Sequence, residues 1–332
     1  MSAKMMPRRK PRFSEAIKTK NYQSLIYNTL GDPNRSRRFI ASITSAVAVN
    51  AQLQECDAGS ILAGSLLGES LGLQPSPQLG QYYLVPFDCK VKGPDGKVVY
   101  QVDDKGNWIK DSRGRLVPLT EKKAQFVLGY HGYIQLALRT GQYRDMGVME
   151  IRQGEYLGRD SSTGKPRFQF EEDDSRRIEL PVIGYMAYFE YLNGFHKTLY
   201  WSRQKMLHHA DTYSPAFSAE AYQKLQNGDI PKNEWKYSSF WYKDFDAMAE
   251  KTMLRQLISK WGVMTTDVTT AYERDGHVME VSPDGKSILP EMLAPDEPEP
   301  AAPPQIENTP KSIEIPRPEM DEVVEAVDLS SL

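Results

Sequence analysis

The sequence predicts an α+β fold in which a small antiparallel sheet with a prominent hairpin packs against helices. Helical and strand-like hydrophobic patterns alternate in blocks along the 332 residues, and a strongly aromatic hairpin occupies residues 182–201. Because 40% of the residues are hydrophobic, the chain can form one large core or two ordinary ones. No internal repeat is evident in the sequence.

Charge divides the chain into three parts. Residues 1–40 hold ten Lys or Arg and two acids, whereas residues 294–332 hold ten acids and two bases. We therefore expect a basic N-terminal arm and first helix at 1–30, a folded core at 31–293, and a disordered acidic, proline-rich tail at 294–332 that could dock a partner. Residues 1–293 together carry a net charge of +5, which favours a polyanionic partner.

Capping residues predict the first helices of the core. After the Gly31-Asp32-Pro33 break, Asn34 or Ser36 would cap a helix that runs to about residue 55 with Phe39 on its apolar face. Asp57 would cap a shorter helix, which stops at Gly72.

Strand patterns and turn residues predict the sheet. Residues 81–91 have the pattern of a strand, and a turn-rich stretch with two short strand-like runs follows at 93–114. In the aromatic hairpin, Asn193-Gly194 predicts a two-residue type I′ turn, and Ser202 would cap the next helix. Alternation places three aromatic side chains of the hairpin on one face: Tyr185, Phe189 and Tyr191.

The segment from Trp241 to Gly262 is predicted to be a helix docked on the sheet. Its apolar stripe would consist of Ala247, Leu254, Leu257, Ile258 and Trp261. Lys251, Arg255 and Ser259 follow one another at four-residue intervals along the edge of that stripe, so two cations would lie beside a rigid surface. A solvated basic edge without function is the alternative. Asp244 and Asp246 are expected to cap the helix and interact with its dipole.

Several common catalytic motifs are absent from the sequence. Residues 59–64 have the spacing of a phosphate loop, but Ser65 stands where a lysine must reach the phosphates. The chain contains no HExxH, GxSxG or GxGxxG motif. His208 and His209 are adjacent on a predicted helix and point about 100° apart, so they cannot bind one metal ion together.

Acidic and thiol groups are interpreted as structural. The run at 171–174 and the Pro-Asp-Gly-Lys tetrads at 94–97 and 283–286 favour loops and turns, although a metal-dependent nuclease using them is a rival interpretation. Cys56 and Cys89 are expected to be reduced core thiols. No apolar run approaches the roughly 20 residues that span a bilayer, and no signal-type stretch follows the basic start, so we expect a cytoplasmic protein.

Basic residues interleaved with aromatic ones favour binding of single-stranded nucleic acid, because cations follow phosphates while rings stack on unpaired bases. The candidates are Arg139, Lys197, Trp201, Arg203, Lys205, Lys251 and Arg255, and, with less support, Tyr133, Lys243 and four residues of the turn-rich stretch, Lys105, Lys110, Arg113 and Arg115.

Four ordered sequence blocks resemble the RecT family of phage single-strand annealing proteins across about residues 30–265. The blocks are LGLQPSPQLGQYYLVPF, LGYHGYIQLALRTGQY, YSPAF and WYKDFDAMAEKTMLRQLISKWG. The resemblance implies a small antiparallel sheet packed with helices, as in eukaryotic strand-annealing ring proteins. By position it assigns the basic groove to Arg139, Lys197, Arg203, Lys251 and Arg255. The turn-rich stretch is longer than the family's usual linker.

The resemblance also implies an activity and its partners. It predicts recombination by ATP-independent annealing of complementary DNA strands, with single-stranded and annealed duplex DNA bound by homo-oligomeric rings or filaments. No residue would act as a catalyst and no cofactor would be required, with Mg²⁺ as a modulator left open. Expected partners are an exonuclease and the host single-strand-binding protein, in a bacterial cell carrying a phage or prophage. A passive single-strand-binding protein is the nearest rival.

Overall fold

The structure is a computed structural model that describes residues 11–93, 96–103, 105–229, 237, 239–282 and 288–290. The acidic tail, most of the basic arm, half of the first Pro-Asp-Gly-Lys tetrad and all of the second lie outside these residues. The chain divides into two units, Met1–Ala294 and Pro295–Leu332. The first unit contains all the elements described below.

The described residues form helices and strands that follow one another in mixed order. The helices are α1 (Phe13–Ala16), α2 (Lys20–Leu30), α3 (Pro33–Ala48), α4 (Ala58–Ser70), α5 (Tyr130–Leu138), α6 (Asp174–Glu179), α7 (Arg203–Tyr213), α8 (Ala219–Asn227), α9 (Phe240–Lys243), α10 (Phe245–Trp261) and α11 (Thr266–Arg274). The strands are β1 (Tyr82–Lys90), β2 (Thr120–Leu128), β3 (Tyr143–Arg152), β4 (Tyr156–Arg159), β5 (Pro166–Phe168), β6 (Val182–Tyr191), β7 (His196–Ser202), β8 (His277–Val281) and β9 (Ile288–Pro290).

Small antiparallel sheets confirm the predicted fold class. Within the described residues, one sheet has the strand order β1-β2-β8-β9, a second has the order β3-β6-β7, and β4 and β5 form a separate hairpin. Helix α4 packs on the first sheet and α10 on the second. Leu62 of α4, Phe126 of β2, Phe189 of β6 and Leu254 of α10 are fully buried in one continuous apolar cluster. The two sheets therefore share a core.

The caps of α3 and α4 differ in how well they match the sequence. Asp32 caps α3 by accepting hydrogen bonds from the backbone N–H groups of Asn34 (2.9 Å) and Arg35 (3.3 Å), so the cap predicted at Asn34 or Ser36 is wrong. Pro33 occupies the first turn, where the missing N–H costs nothing, and α3 ends at Ala48 rather than near residue 55. Asp57 caps α4 as predicted.

The phosphate-loop spacing at 59–64 lies inside α4, where the residues are buried. This segment therefore has no loop that could surround a phosphate. Cys56 and Cys89 are both buried and neither forms a disulfide, which confirms the prediction of reduced core thiols. In the part of the chain that the structure describes, no helix is both long and apolar enough to cross a membrane.

The aromatic hairpin of β6 and β7 is confirmed, but its predicted two-residue turn is wrong. The loop contains three residues, Leu192 to Gly194, because the Tyr191 N–H donates to the Phe195 carbonyl (2.8 Å) and the Gly194 N–H donates to the Tyr191 carbonyl (3.0 Å). Gly194 has φ +85°, as the last position of such a loop requires. Tyr185 and Phe189 lie on the face that α10 covers, as predicted.

The turn-rich stretch forms three small hairpins rather than two strand-like runs. Bridges pair Lys92 with Val98, Val102 with Trp108, and Lys110 with Leu116. Each hairpin bends through a glycine of positive φ, at Gly96, Gly106 and Gly114. Residues 91–119 are called the three-hairpin module below. It extends from the ends of β1 and β2, where Lys90 pairs with Thr120.

Two closed rings of backbone hydrogen bonds hold the module together. In one ring Val99 donates to Val91, Leu119 to Val99 and Val91 to Leu119, each at 2.8 Å. The second ring joins Gln101, Ile109 and Val117 in the same way, at 2.9–3.0 Å. The module is therefore an internal three-fold repeat, and the expectation of no repeat is wrong. Each repeat has Gly or Asp three residues before the turn glycine, and one polar and two apolar residues directly after it. Reasoning from the sequence recognised the turns but not this pattern.

Candidate nucleic-acid interface

Helix α10 docks on the second sheet, but its apolar stripe differs from the prediction at both ends. Leu254, Leu257 and Ile258 are buried as predicted, and Asp244 caps the helix through the Ala247 N–H (3.1 Å). Ala247 is exposed and Trp261 is 47% exposed, so assigning them to the stripe is wrong. Ala249 and Met253 are buried in addition to the predicted residues, and so is Phe245 at the start of the helix.

Lys251 and Arg255 are held beside one buried carboxylate. The Lys251 Nζ lies 3.7 Å from Oδ1 of Asp275, and the Arg255 Nε lies 3.8 Å from Oδ2. Asp275 is 7% exposed and also accepts hydrogen bonds from the Leu128 N–H and the Tyr133 hydroxyl, each at 2.9 Å. Tyr133, Lys251, Arg255 and Asp275 are called the Asp275 cluster below. Burial lowers the pKa of the Lys251 ammonium, and the charge of Asp275 opposes that shift.

The Asp275 cluster still reaches the surface through a pocket. Lys251, Arg255 and Asp275 line this pocket together with His209 and Tyr213. The Arg255 guanidinium lies over the ring of Tyr272, 4.5 Å from its centroid, and its buried Nε has no hydrogen-bond partner among the described residues. An anion that entered the pocket would meet two cations and one carboxylate, so the predicted DNA contact at Lys251 and Arg255 stays a prediction.

Arg203 forms a second internal charge pair. Its guanidinium donates to Oδ1 of Asp246 (2.7 Å) and to the hydroxyls of Tyr185 (2.8 Å) and Tyr222 (3.2 Å), and it lies over the ring of Phe245. Asp246 therefore stabilises a partly buried arginine rather than only the helix dipole. These contacts use most of the donors of Arg203, which gives it a structural role in linking β6, α7, α8 and α10.

Arg139 is bound to the end of a helix. Its guanidinium donates to the carbonyls of Leu71 (2.7 Å) and Gly72 (2.8 Å), which follow the last turn of α4. A cation at this position satisfies carbonyl groups that have no partner within the helix and interacts favourably with the helix dipole. Arg139 thus connects α5 to α4, and this contact occupies both of its terminal nitrogens.

Lys197 and Lys205 have aromatic rather than acidic neighbours. The Lys197 Nζ lies 3.9 Å from the ring centroid of Trp261, and the Lys205 Nζ lies 4.5 Å from that of Trp201. Trp201 is 8% exposed and packs edge-to-face on His209, so it supports the lysine from inside the core. Neither lysine, nor Lys260 next to Trp261, pairs with a carboxylate of the described residues. Lys197, Lys205 and Lys260 are called the lysine edge below.

The charges of Lys205 and Lys260 act on each other and on neighbouring groups. Partial burial lowers the pKa of the Lys205 ammonium, and the positive charges of Lys260 and Arg159 lower it further. Burial also lowers the pKa of His209 to about 4, and Arg255, Lys205 and Lys260 add to that shift, so His209 is neutral at pH 7. The field of the lysine edge thus extends from Arg159 to the pocket of the Asp275 cluster. Like charges concentrated in this way attract a polyanion.

The remaining candidates lie on the periphery of the fold. In the three-hairpin module, Lys105, Lys110, Arg113 and Arg115 are exposed, and Arg115 pairs with Asp111 at 3.1 Å. Lys243 lies 5.8 Å from the ring centroid of Phe240, on the short helix that precedes α10. Whether these side chains contact DNA stays a prediction.

Acidic groups of the 171–174 run act as local caps, which supports the loop interpretation. Asp173 caps α6 by accepting from the N–H groups of Ser175 and Arg176, and Glu171 accepts from the Asp173 N–H. Among the described residues, no group of three or more His, Cys, Asp or Glu side chains could hold a metal ion.

Reasoning from the sequence missed Lys260, Arg159 and Asp275, and misassigned Trp261 to the core. Lys260 could have been found from the same helix, because it immediately precedes Trp261. Asp275 carried no such signal. It follows α11 in the sequence, and only folding of the chain brings it next to Lys251 and Arg255 of α10.

Lysines that lie beside aromatic rings and pair with no carboxylate of the described residues are a combination used by proteins that bind single-stranded nucleic acid. The sequence profile of the RecT family matches residues 37–286, most of the chain. The chain therefore belongs to the RecT family.

Two curated relatives are similar to the chain. It is 31% identical over 247 residues to the uncharacterized protein YqaK of Bacillus subtilis (strain 168), a match that covers 74% of this chain and 66% of that protein. It is 27% identical over 120 residues to protein RecT of Escherichia coli (strain K12), covering 36% of this chain and 35% of that protein. The chain thus spans only part of the length of each relative.

Proposed function

We propose that this protein binds single-stranded DNA along the lysine edge and anneals complementary strands in recombination without hydrolysing a nucleotide. The observation that supports this most directly is a set of cations on a surface with aromatic rings, Lys197, Lys205 and Lys260, that pair with no carboxylate in the described part of the chain. Membership of the RecT family supports the same function, because the family's members are single-strand annealing proteins.

The proposed mechanism is physical rather than covalent. Base pairing supplies about 1.4 kcal/mol per base-pair step, so the protein needs only to reduce the repulsion between two phosphate backbones. Lysines without internal partners suit this task, since each can exchange its counterions for phosphates. The pocket of the Asp275 cluster lies within the same electrostatic field and offers a second place for phosphates, through Lys251 and Arg255.

Assembly and partners form the less direct part of the proposal. An annealing protein needs neighbouring copies along the strand, so we infer a homo-oligomeric ring or filament, with α3 and the basic N-terminal residues as candidate contacts. An exonuclease would supply single strands, and the acidic tail would dock a partner such as a single-strand-binding protein. Mg²⁺ would modulate binding by competing for phosphates.

The test is a variant in which Lys197, Lys205 and Lys260 are all replaced by glutamine. We expect slower annealing of fluorescently labelled complementary strands, weaker binding to single strands, and a log–log salt slope smaller by about 2, since each phosphate contact contributes about 0.7. Stability should change by less than about 0.5 kcal/mol, because these are surface groups. A control with the same loss of charge replaces Lys122, Arg176 and Lys224 by glutamine, since each of these surface cations already pairs with a carboxylate.

Two alternatives would be recognised in the same assay. A passive single-strand-binding protein would bind DNA with the same salt dependence but would not accelerate pairing over the rate without protein. A metal-dependent nuclease would shorten labelled DNA incubated with Mg²⁺. Unchanged affinity in the triple lysine variant would contradict the assignment of the lysine edge.

A further inference from the structure

The end of α10 presents a large aromatic side chain to solvent. Trp261 is 47% exposed, although Leu254 and Leu257 of the same helix are fully buried. Exposing an indole leaves apolar area in contact with water, and fold stability gains nothing from it. Trp261 is therefore not explained by packing of the core.

The backbone on both sides of this indole is fixed by tyrosines of the second sheet. The Tyr191 hydroxyl donates to the Trp261 carbonyl (2.8 Å), and the Val263 N–H donates to the Tyr143 hydroxyl (3.0 Å). Between them, the Gly262 N–H donates to the Ile258 carbonyl (2.8 Å) and closes the helix. The backbone that carries the indole is therefore held in place, so little backbone conformational entropy would be lost when the side chain binds a ligand.

The chemistry next to the indole matches that of a nucleotide. The Lys197 ammonium lies 3.9 Å from the ring centroid, and Lys260 precedes Trp261 in the chain. Neither lysine pairs with a carboxylate of the described residues. An unpaired base offers a flat ring that stacks on an indole, and the phosphate attached to it offers the anion that the lysines lack.

Resting on the proposed function, we propose that Trp261 stacks on an unpaired base of the bound strand while Lys197 binds an adjacent phosphate. Trp201, the tryptophan that the sequence favoured, is buried under Lys205 and has no comparable free ring. Phe195, directly after the hairpin loop, is 45% exposed, so a contact between copies of the chain through Phe195 and Trp261 is the competing explanation.

The experiment compares two oligonucleotides with the same number of phosphates, one of deoxythymidines and one of abasic sites. With Trp261→Ala, we expect affinity for the deoxythymidine strand to fall about 5- to 150-fold, the range of one lost base–aromatic stack, and affinity for the abasic strand to stay within about two-fold. Trp261→Phe keeps an aromatic ring, so it should retain most of the wild-type preference for the deoxythymidine strand over the abasic strand. Lys197→Gln should weaken binding to both strands, because a phosphate contact does not depend on the base.

A matched control is Trp108→Ala in the three-hairpin module. Trp108 is 57% exposed and contacts Tyr100 edge-to-face, and no lysine of the described residues lies over its ring. We expect this variant to bind both strands as the wild type does. Selective loss of the deoxythymidine strand in Trp108→Ala as well would overturn the specific assignment to Trp261.

Other results would overturn the proposal in distinguishable ways. If Trp261→Ala weakened binding to both strands equally, the effect would be structural. If Trp261→Ala changed the assembly state in the absence of DNA, Trp261 would belong to a contact between copies. Equal affinity of the wild type for the two strands would exclude base stacking while leaving phosphate binding intact. Failure of the wild type to bind either strand would instead contradict the proposed function.

Discussion

The lysine edge and the Asp275 cluster are both built from cations beside aromatic rings, but only the Asp275 cluster contains its own counter-charge. Lys251 and Arg255 share the carboxylate of Asp275, whereas Lys197 and Lys205 have indoles as neighbours. A buried cation needs a carboxylate for the fold to tolerate its desolvation. An exposed cation over a ring needs none, and it keeps its full attraction for an external anion. Similar sequence patterns thus serve internal stability in one place and leave cations available to an external anion in the other.

The largest effect is expected from removing the shared carboxylate. Asp275→Ala leaves two cations and the Tyr133 hydroxyl without their partner, so we expect a loss of about 3–5 kcal/mol in the free energy of unfolding, measured by urea denaturation. Asp267→Ala, an exposed acid in the first turn of α11, should cost less than about 0.5 kcal/mol. In a double-mutant cycle, Asp275→Ala with Lys251→Ala should cost less than the sum of the two. Additive losses would show that the two side chains do not interact.

Glu250 contrasts with Asp275, because it is a half-buried acid with no cation beside it among the described residues. Burial raises its pKa to about 7, and Glu150, Asp246 and Asp244 add repulsion. Because the folded-state pKa lies above the unfolded value, the wild type gains stability as pH falls through 7 toward 4.5. Glu250→Gln should therefore stabilise the protein by about 1 kcal/mol at pH 8, after allowance for the solvent that reaches the group. Thermal unfolding should show the advantage disappearing near pH 4.5, and a constant advantage would contradict this account.

The smallest effect is expected from replacing residues 92–118, all of the three-hairpin module except its two end residues, by an Asn-Gly turn. The flanking Lys90 and Thr120 are already paired, so the strands should close without it. We expect affinity for single strands to fall by no more than about three-fold, since the six cations and four acids of the module leave little net charge. A loss above ten-fold would instead support the predicted DNA contacts of Lys105, Lys110, Arg113 and Arg115.

Local patterns in the sequence predicted the fold well wherever the determinant was local. The Asp57 and Ser202 caps and the aromatic hairpin follow from residues a few positions apart. The partners of the predicted cations could not be found in this way. Arg139 contacts a carbonyl 68 residues away and Arg203 a carboxylate 43 residues away, and only the folded chain brings these groups together. The family resemblance identified basic positions but could not separate cations that stabilise the fold from cations that remain available.

The closed hydrogen-bond rings of the three-hairpin module have a consequence for how such a segment is tolerated. A hairpin added to the end of two strands would normally expose backbone edges on which other chains could aggregate. In the rings at Val91 and Gln101, part of those edge groups bond to one another. The pairing of β1 with β2 already holds the ends of the module together, so inserting the module adds little entropy cost of loop closure. The junction between these two strands is therefore a place where a gene can gain or lose a small folded unit with little risk to the rest of the protein.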